Sequence, residues 1–174
     1  LEDQFKTGQY SQVINQAPQL VPRIDEVFQK LREGVNQAIA QGEVAIALAR
    51  EAKAQEWASD LLNQAVKALS RARSLLNQES YRKAADNAET AEAKAKEAEA
   101  QAYKLRAQEN LSQADSDLRL AERADSPDLS PLAYSQAVDT MKKARELLAE
   151  KDNKGAWEIS VRAEEAAEVA LDKR

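Results

Sequence analysis

An internal repeat with a spacing of about 72 residues constrains this chain more than any other feature, because such periodicity sets the architecture. Gln64-Ala65-Val66 returns as Gln136-Ala137-Val138, and Ala72–Leu76 returns as Ala144–Leu148 with the Ala, the Arg and both Leu residues kept. A degenerate copy lies upstream at nearly the same spacing, where larger apolar residues replace alanines. Val13, Ala17, Leu20, Ile24, Val27 and Leu31 there match Ala84, Ala88, Ala91, Ala95, Ala98 and Ala102. Such repeats build modular helical proteins that need no single central core.

The composition favours long helices. Charged residues make up 32% of the chain and aromatic residues only 5%, which is typical of helical bundles and coiled coils. No proline lies between Pro22 and Pro127, and no glycine lies between Gly42 and Gly155. Because these residues commonly end helices, we predict an all-α fold with long, uninterrupted helices.

The repeat divides the chain into three parts. Residues 1–54 form a truncated first repeat, with the tail of a short helix at Leu1–Lys6 and a long helix that Pro18 and Pro22 kink or break. Residues 55–126 form the second repeat, with a short helix at 60–77 and a long helix at 81–124. Residues 127–174 form an incomplete third repeat, with helices at 131–150 and 154–173.

Capping residues mark the expected helix starts. Ser59 and its counterpart Ser130 are predicted N-caps of the two short helices, and Pro131 follows Ser130 at the favoured first helical position. Asp152 or Asn153 is expected to cap the last helix. Each short helix should therefore form a tight hairpin with the helix after it.

The predicted long helix from Tyr81 carries two apolar stripes in different phases. Ala84, Ala88, Ala91, Ala95, Ala98, Ala102 and Leu105 form the first, and Ala107, Leu111, Ala114, Leu118 and Ala121 form the second. Alternating steps of four and three keep each stripe against a partner helix. Two phases in one helix indicate different partners along its two halves. We therefore expect tandem antiparallel three-helix bundles that share long continuous helices, as in spectrin-like rods, giving an elongated molecule.

The first long helix leaves two alternatives open. Its residues 10–31 carry a bulky apolar stripe, but the short helix that should cover it is mostly missing from the sequence. This segment either folds back onto the following bundle or pairs with another molecule.

The repeat pattern resembles an uncharacterised family of alanine-rich helical domains in bacterial envelope proteins and lipoproteins. Trp57 to Ala98 carries the resemblance best, with A-x-x-x-L-x-x-A-x-x-L-L, a turn, and A-x-x-x-A-x-x-A, and Leu129 to Ala170 carries a second copy. The resemblance implies placement outside the cytoplasm, in the periplasm, with any lipid anchor in a segment outside this sequence. It also implies association with the envelope or with peptidoglycan. Tetratricopeptide-like hairpins share some of these cues but have a shorter repeat of about 34 residues.

Several function classes are disfavoured by the residues that the chain lacks. It has no cysteine and no histidine, so thiolate metal sites and the commonest general base are missing. The net charge of −5 is spread without the basic stripe of a nucleic-acid binder, and no apolar run approaches the length of a membrane span. We expect a protein that is not an enzyme, has no cofactor or metal, binds no nucleic acid and lacks a transmembrane segment.

Three residues are candidates for partner contacts. Trp157 has Ala85 as its repeat counterpart, so an aromatic side chain is added in one copy only, and Val161 lies one turn further on. Tyr103 lies off both stripes, where the phase changes. Exposed aromatic residues can act as hot spots in interfaces, although packing inside the last bundle would also explain Trp157.

The sequence therefore favours a non-catalytic scaffold or spacer of the bacterial cell envelope that acts through protein–protein contacts. Its partners would be other proteins, with self-association as one form of this. The alternative is a tetratricopeptide-like adaptor that binds peptides in a groove between hairpins.

Overall fold

The computed structural model describes residues 9–123 and 130–172, with side-chain surroundings from residue 21 onward. This part of the chain is helical and forms helices that pack against each other, so the predicted all-α fold is confirmed. The helices are α1 (Gln9–Glu51), α2 (Ala54–Trp57), α3 (Ser59–Asn77), α4 (Tyr81–Arg123), α5 (Pro131–Ala149) and α6 (Asn153–Asp172). The predicted helix tail at Leu1–Lys6 lies outside the described residues.

The two hairpin turns lie at equivalent positions of the repeat and are built in the same way. Glu79 and Lys151 adopt left-handed backbone conformations, with φ of 57° and 66°. The amide of the following residue donates a hydrogen bond to a carbonyl oxygen of the preceding helix. These bonds are Ser80 N to Leu75 O at 2.9 Å and Asp152 N to Leu147 O at 3.0 Å. These bonds satisfy carbonyl groups at the ends of α3 and α5 and reverse the chain in a tight turn. A non-glycine residue supplies the left-handed position both times.

One predicted N-cap is wrong and another lacks its side-chain bond. α3 begins at Ser59 itself, so its N-cap residue is Ala58. Ser130 is the N-cap residue of α5, as predicted, but its side chain makes no capping bond. Pro131 does occupy the first turn of α5. Asp152 caps α6, because its carboxylate accepts a hydrogen bond from the Gly155 amide at 2.9 Å. The starts of α3 and α5 are thus not fixed by the hydroxyl groups that the sequence suggested.

Helix α1 is not broken at its prolines. It continues from Gln9 to Glu51 through Pro18 and Pro22, so the predicted break is wrong, while the alternative of a kink stays a prediction. The interruption comes later, where Lys53 has φ of 63° and separates α1 from the single turn α2. This break, and therefore a separate helix α2, was not predicted, because the stretch contains neither of the residues that usually end helices, glycine and proline.

Two apolar cores follow one another along α4. The first contains buried residues of the second half of α1, of α2 and α3, and of α4 up to Ala102. The second contains Leu111, Ala114 and Leu118 of α4 together with residues of α5 and α6. All the alanines of the first predicted stripe and all five residues of the second are buried. α4 therefore changes partners where the two stripes change phase.

The small residues of the first core let the helix backbones approach closely. A Cβ atom at Gly42 of α1 would lie 3.5 Å from the Ala88 carbonyl oxygen and 3.6 Å from the Ala91 Cβ of α4. Phe28 contacts Tyr81 further back, with ring centroids 6.0 Å apart. The later residue of α1 contacts the later residues of α4, so α1 and α4 are parallel. α3 connects them and runs in the opposite direction.

Over residues 21–31, the first half of α1 stays outside the bundle, apart from the contact of Phe28 with Tyr81. Ile24, Val27 and Leu31 are 52%, 56% and 46% exposed, whereas their counterparts Ala95, Ala98 and Ala102 are fully buried. Of the two alternatives for this segment, packing inside the chain is therefore wrong for these residues.

Candidate functional site

Two of the three candidate contact residues meet at the junction of the two bundles. Tyr103 of α4 and Trp157 of α6 lie with their ring centroids 5.3 Å apart and their planes tilted by 36°. Both side chains are half-buried, and Tyr103 also packs against the first core. Val161 follows one turn after Trp157 and is half-buried as well. The structure brings the aromatic pair together, while a role for the three residues in binding a partner stays a prediction.

Arg106 completes this cluster and was missed in the sequence. Its guanidinium carbon lies 4.2 Å from the centre of the Trp157 ring, within the range of a cation–π contact. Its Nη1 also donates a hydrogen bond of 3.3 Å to the Ala52 carbonyl oxygen, just beyond the end of α1, where positive charge is favoured. One side chain of α4 thus connects the end of α1 with the aromatic ring of α6.

A signal for this cluster does exist in the repeat. The counterpart of Arg106 is Gly34 and that of Trp157 is Ala85, so both small residues are replaced by large ones in the later copy. A search for positions that change together between repeats would have paired them. Local patterns could not, because the two residues lie on different helices.

A polar pair lies beside the aromatic cluster. Ser160 is fully buried, accepts a hydrogen bond from Asn110 Nδ2 at 3.2 Å and donates one to the Trp157 carbonyl oxygen at 2.8 Å. The repeat counterparts of Asn110 and Ser160 are Ala38 and Ala88. A buried, satisfied polar pair favours one alignment of two helices over shifted ones, so it fixes the position of α6 along α4.

An ion pair recurs in the two bundles. Arg73 of α3 lies 2.6 Å from Glu43 of α1, and its counterpart Arg145 of α5 lies 3.0 Å from Asp115 of α4. These side chains are about half exposed, so each pair contributes little stability. Each ion pair joins the two helices of its bundle that contact each other least, because both pack mainly against the third helix. The pairs therefore help to position these two helices relative to each other.

Shallow cavities lie beside these ion pairs. One of about 440 Å³ is lined by α1 and α3, and one of about 480 Å³ by α4 and Arg145. Arginine, serine, acidic and aliphatic side chains line them, and aromatic residues do not. A third cavity of about 230 Å³ does include an aromatic residue, Tyr103, beside polar residues of α4 and of the turn before α6.

Acidic side chains gather on the α4–α6 side of the second bundle. Partial burial raises the pKa of Glu164 above its ordinary value, and the nearby charges of Asp117, Glu168, Glu165 and Glu109 raise it further. Among the described residues, no group of three such side chains is placed to hold a metal ion. The carboxylates of this cluster are close enough to repel one another.

No family model, curated protein or solved structure matches this chain. The resemblance to the envelope family therefore stays a prediction from the sequence pattern.

Among the helices of residues 9–123 and 130–172, none combines the length and the apolar character needed to cross a bilayer.

Proposed function

We propose that this chain is a non-catalytic spacer or scaffold module, made of successive three-helix bundles that share long helices. The observation that carries the proposal is α4, whose 43 residues contribute to both cores. At about 1.5 Å per residue, such a helix extends about 65 Å. Because both cores include the same helix, a bend between them would require α4 itself to bend.

The cluster around Arg106 supports this role. Its contacts with Ala52 and Trp157 connect a residue of the first bundle to one of the second across the middle of α4. A spacer must resist bending between its units, and side chains that tie neighbouring units together oppose such bending. In this proposal Tyr103, Arg106 and Trp157 stiffen the joint.

Small-angle X-ray scattering tests the spacer role most simply. A chain whose bundles follow one another should give a distance distribution with a long tail and a maximum dimension above about 65 Å, the length of α4. The Arg106→Ala/Trp157→Ala variant should keep its helicity but sample more bent shapes. A symmetric distance distribution, typical of a compact particle, would contradict the proposal.

The proposed setting is the bacterial cell envelope, in the periplasm, and the proposed partners are proteins or structures bound to peptidoglycan. The sequence resemblance supports this placement. Co-sedimentation with purified peptidoglycan sacculi tests whether the protein binds peptidoglycan itself, with bovine serum albumin as a control. We expect a larger fraction of the protein than of the albumin control in the pellet. Equal fractions of the two proteins in the pellet would exclude peptidoglycan as a direct partner.

A further inference from the structure

An apolar face of α1 lies outside both cores. Val21, Ile24, Val27, Phe28 and Leu31 are each 46–56% exposed, and their spacing places them on one side of the helix. An exposed apolar patch of this kind marks an interaction surface in a folded protein. Ile24, Val27 and Leu31 are much larger than their counterparts in α4, which are alanines in a tight seam. A partner of this face must therefore accommodate large side chains.

The charges around this face are arranged with one basic edge. At about 100° per residue, Arg23 and Lys30 border the apolar residues on one side, Asp25 and Arg32 border them on the other, and Glu26 and Glu33 fall on the back of the helix. Lys30 lies 2.7 Å from Glu26, but an ion pair this exposed is weak and can exchange partners. The face therefore suits a partner surface that combines apolar and acidic residues.

The outer face of α6 has that combination. Glu158, Glu165 and Glu168 are exposed there, and the ion pairs found in the described part of the chain do not include them. Val169 lies between these acids and is 44% exposed, while Val161 lies one turn before Glu165. Neighbouring carboxylates repel one another. Arg162 is exposed beside them and offsets part of this repulsion, and a basic partner would relieve the rest.

We propose that the exposed face of α1, at residues 21–31, docks on the acidic outer face of α6 in a second copy of this chain. The apolar side chains of α1 would cover Val161 and Val169, and Arg23 and Lys30 would meet Glu165 and Glu168. Because the two faces differ, the contact is heterologous and joins one end of a chain to the other end of its neighbour. The inference rests on the proposed function, since it names the partner of the scaffold.

Analytical ultracentrifugation with charge-reversal variants tests this contact. The wild-type chain should self-associate with rising concentration, and added salt should weaken the association. Arg23→Glu/Lys30→Glu and Glu165→Lys/Glu168→Lys should each weaken it at least about tenfold, because like charges then face each other. An equimolar mixture of the two variants should associate again, since each altered face then meets one of opposite charge.

Two controls separate the contact from general effects. Asp86→Lys/Glu89→Lys changes the net charge as much as the α6 variant does, on an exposed part of α4, and should leave self-association unchanged. Ile24→Glu should abolish association without loss of helicity, because Ile24 lies outside the cores.

Three results would overturn the inference. They are a wild-type chain that stays monomeric at every concentration, an α6 variant that associates as well as the wild type, and variants that fail to associate when mixed. Sedimentation velocity in the same runs gives the frictional ratio. An elongated monomer would leave the spacer role standing, whereas a compact monomer would remove that role too.

Discussion

The guanidinium of Arg106 lies over the ring of Trp157, 4.2 Å from its centre, although the two residues belong to different helices. The Tyr103 ring packs against the same indole, with the centroids 5.3 Å apart. Arg106 also donates a hydrogen bond to the carbonyl oxygen of Ala52. Its side chain therefore connects the first bundle to the second.

Replacing Trp157 with alanine, its repeat counterpart, should destabilise the second bundle by about 1–3 kcal/mol, because Tyr103 loses an aromatic partner and Arg106 loses a cation–π contact. Each of these contacts contributes about 0.5–1.5 kcal/mol. Denaturant unfolding followed by circular dichroism measures the change. Trp157→Phe, which keeps a ring, should lose less, and an alanine variant as stable as the wild type would show that the cluster adds no stability.

The polar pair offers a double-mutant cycle whose end point already exists in the first bundle. Ser160→Ala should cost about 1 kcal/mol because Asn110 loses its partner while remaining half-buried. Asn110→Ala/Ser160→Ala recreates the Ala38 and Ala88 pair and should cost less than the sum of the single changes, with a coupling of about 0.5–1.5 kcal/mol. Strictly additive changes in unfolding free energy would mean that the two side chains do not interact.

Glycine at the left-handed turn positions should stabilise the hairpins. Glu79 has φ of 57° and Lys151 φ of 66°, a conformation that glycine adopts without the steric cost of a side chain. Glu79→Gly and Lys151→Gly should each raise the unfolding free energy by up to about 1 kcal/mol. Gln78→Gly, at a residue with φ of −93°, serves as the control and should not stabilise. Equal effects at positions 78 and 79 would contradict the turn geometry.

The pKa of Glu164 predicts a pH dependence. Burial and neighbouring carboxylates raise this pKa in the folded chain, so the charged form weakens the fold at neutral pH. The stability linked to protonated Glu164 is complete below its unfolded pKa and is lost as pH rises through the folded pKa. Glu164→Gln should therefore melt at a higher temperature than the wild type at pH 7. The difference should vanish below about pH 4.

Glu89→Gln, at an exposed position on the first bundle, is the matched control for this titration. It removes one carboxylate far from the acidic residues of the second bundle and should not raise the melting temperature at pH 7. A Glu164→Gln variant that gains nothing at pH 7 would mean that the acidic face exerts no net repulsion on this residue.

The apolar periodicity was enough to predict the helical fold and the buried seams. Ala84 to Ala102 and Ala107 to Ala121 are buried where the two phases placed them, because spacing alone decides which side chains share a helix face. The division into three repeats stays a prediction. The change of partner along α4 could be inferred because a helix surface cannot change phase without changing neighbours.

Features that depend on single contacts could not be inferred in this way. Ser59 fits a capping pattern but is the first residue of α3, since composition cannot fix where a helix begins. Ser130 is the N-cap residue of α5, yet its hydroxyl group makes no capping bond. The break at Lys53 has no glycine or proline to mark it. Arg106 looked like any exposed helical arginine, because its partners Ala52 and Trp157 lie far away along the chain in opposite directions.

The central claim is that α4 is one continuous helix shared by two bundles, and a distance measurement along it is the most direct test. The chain has no cysteine, so spin labels attach only at cysteines introduced for the purpose, such as Glu89→Cys and Ser116→Cys on exposed positions of α4. Double electron–electron resonance should give one narrow distance of about 40 Å, since a continuous helix rises by about 1.5 Å per residue. A broad distribution, or a main distance below about 30 Å, is incompatible with that rise. Either result would show that the helix bends or breaks between the bundles and would contradict the account.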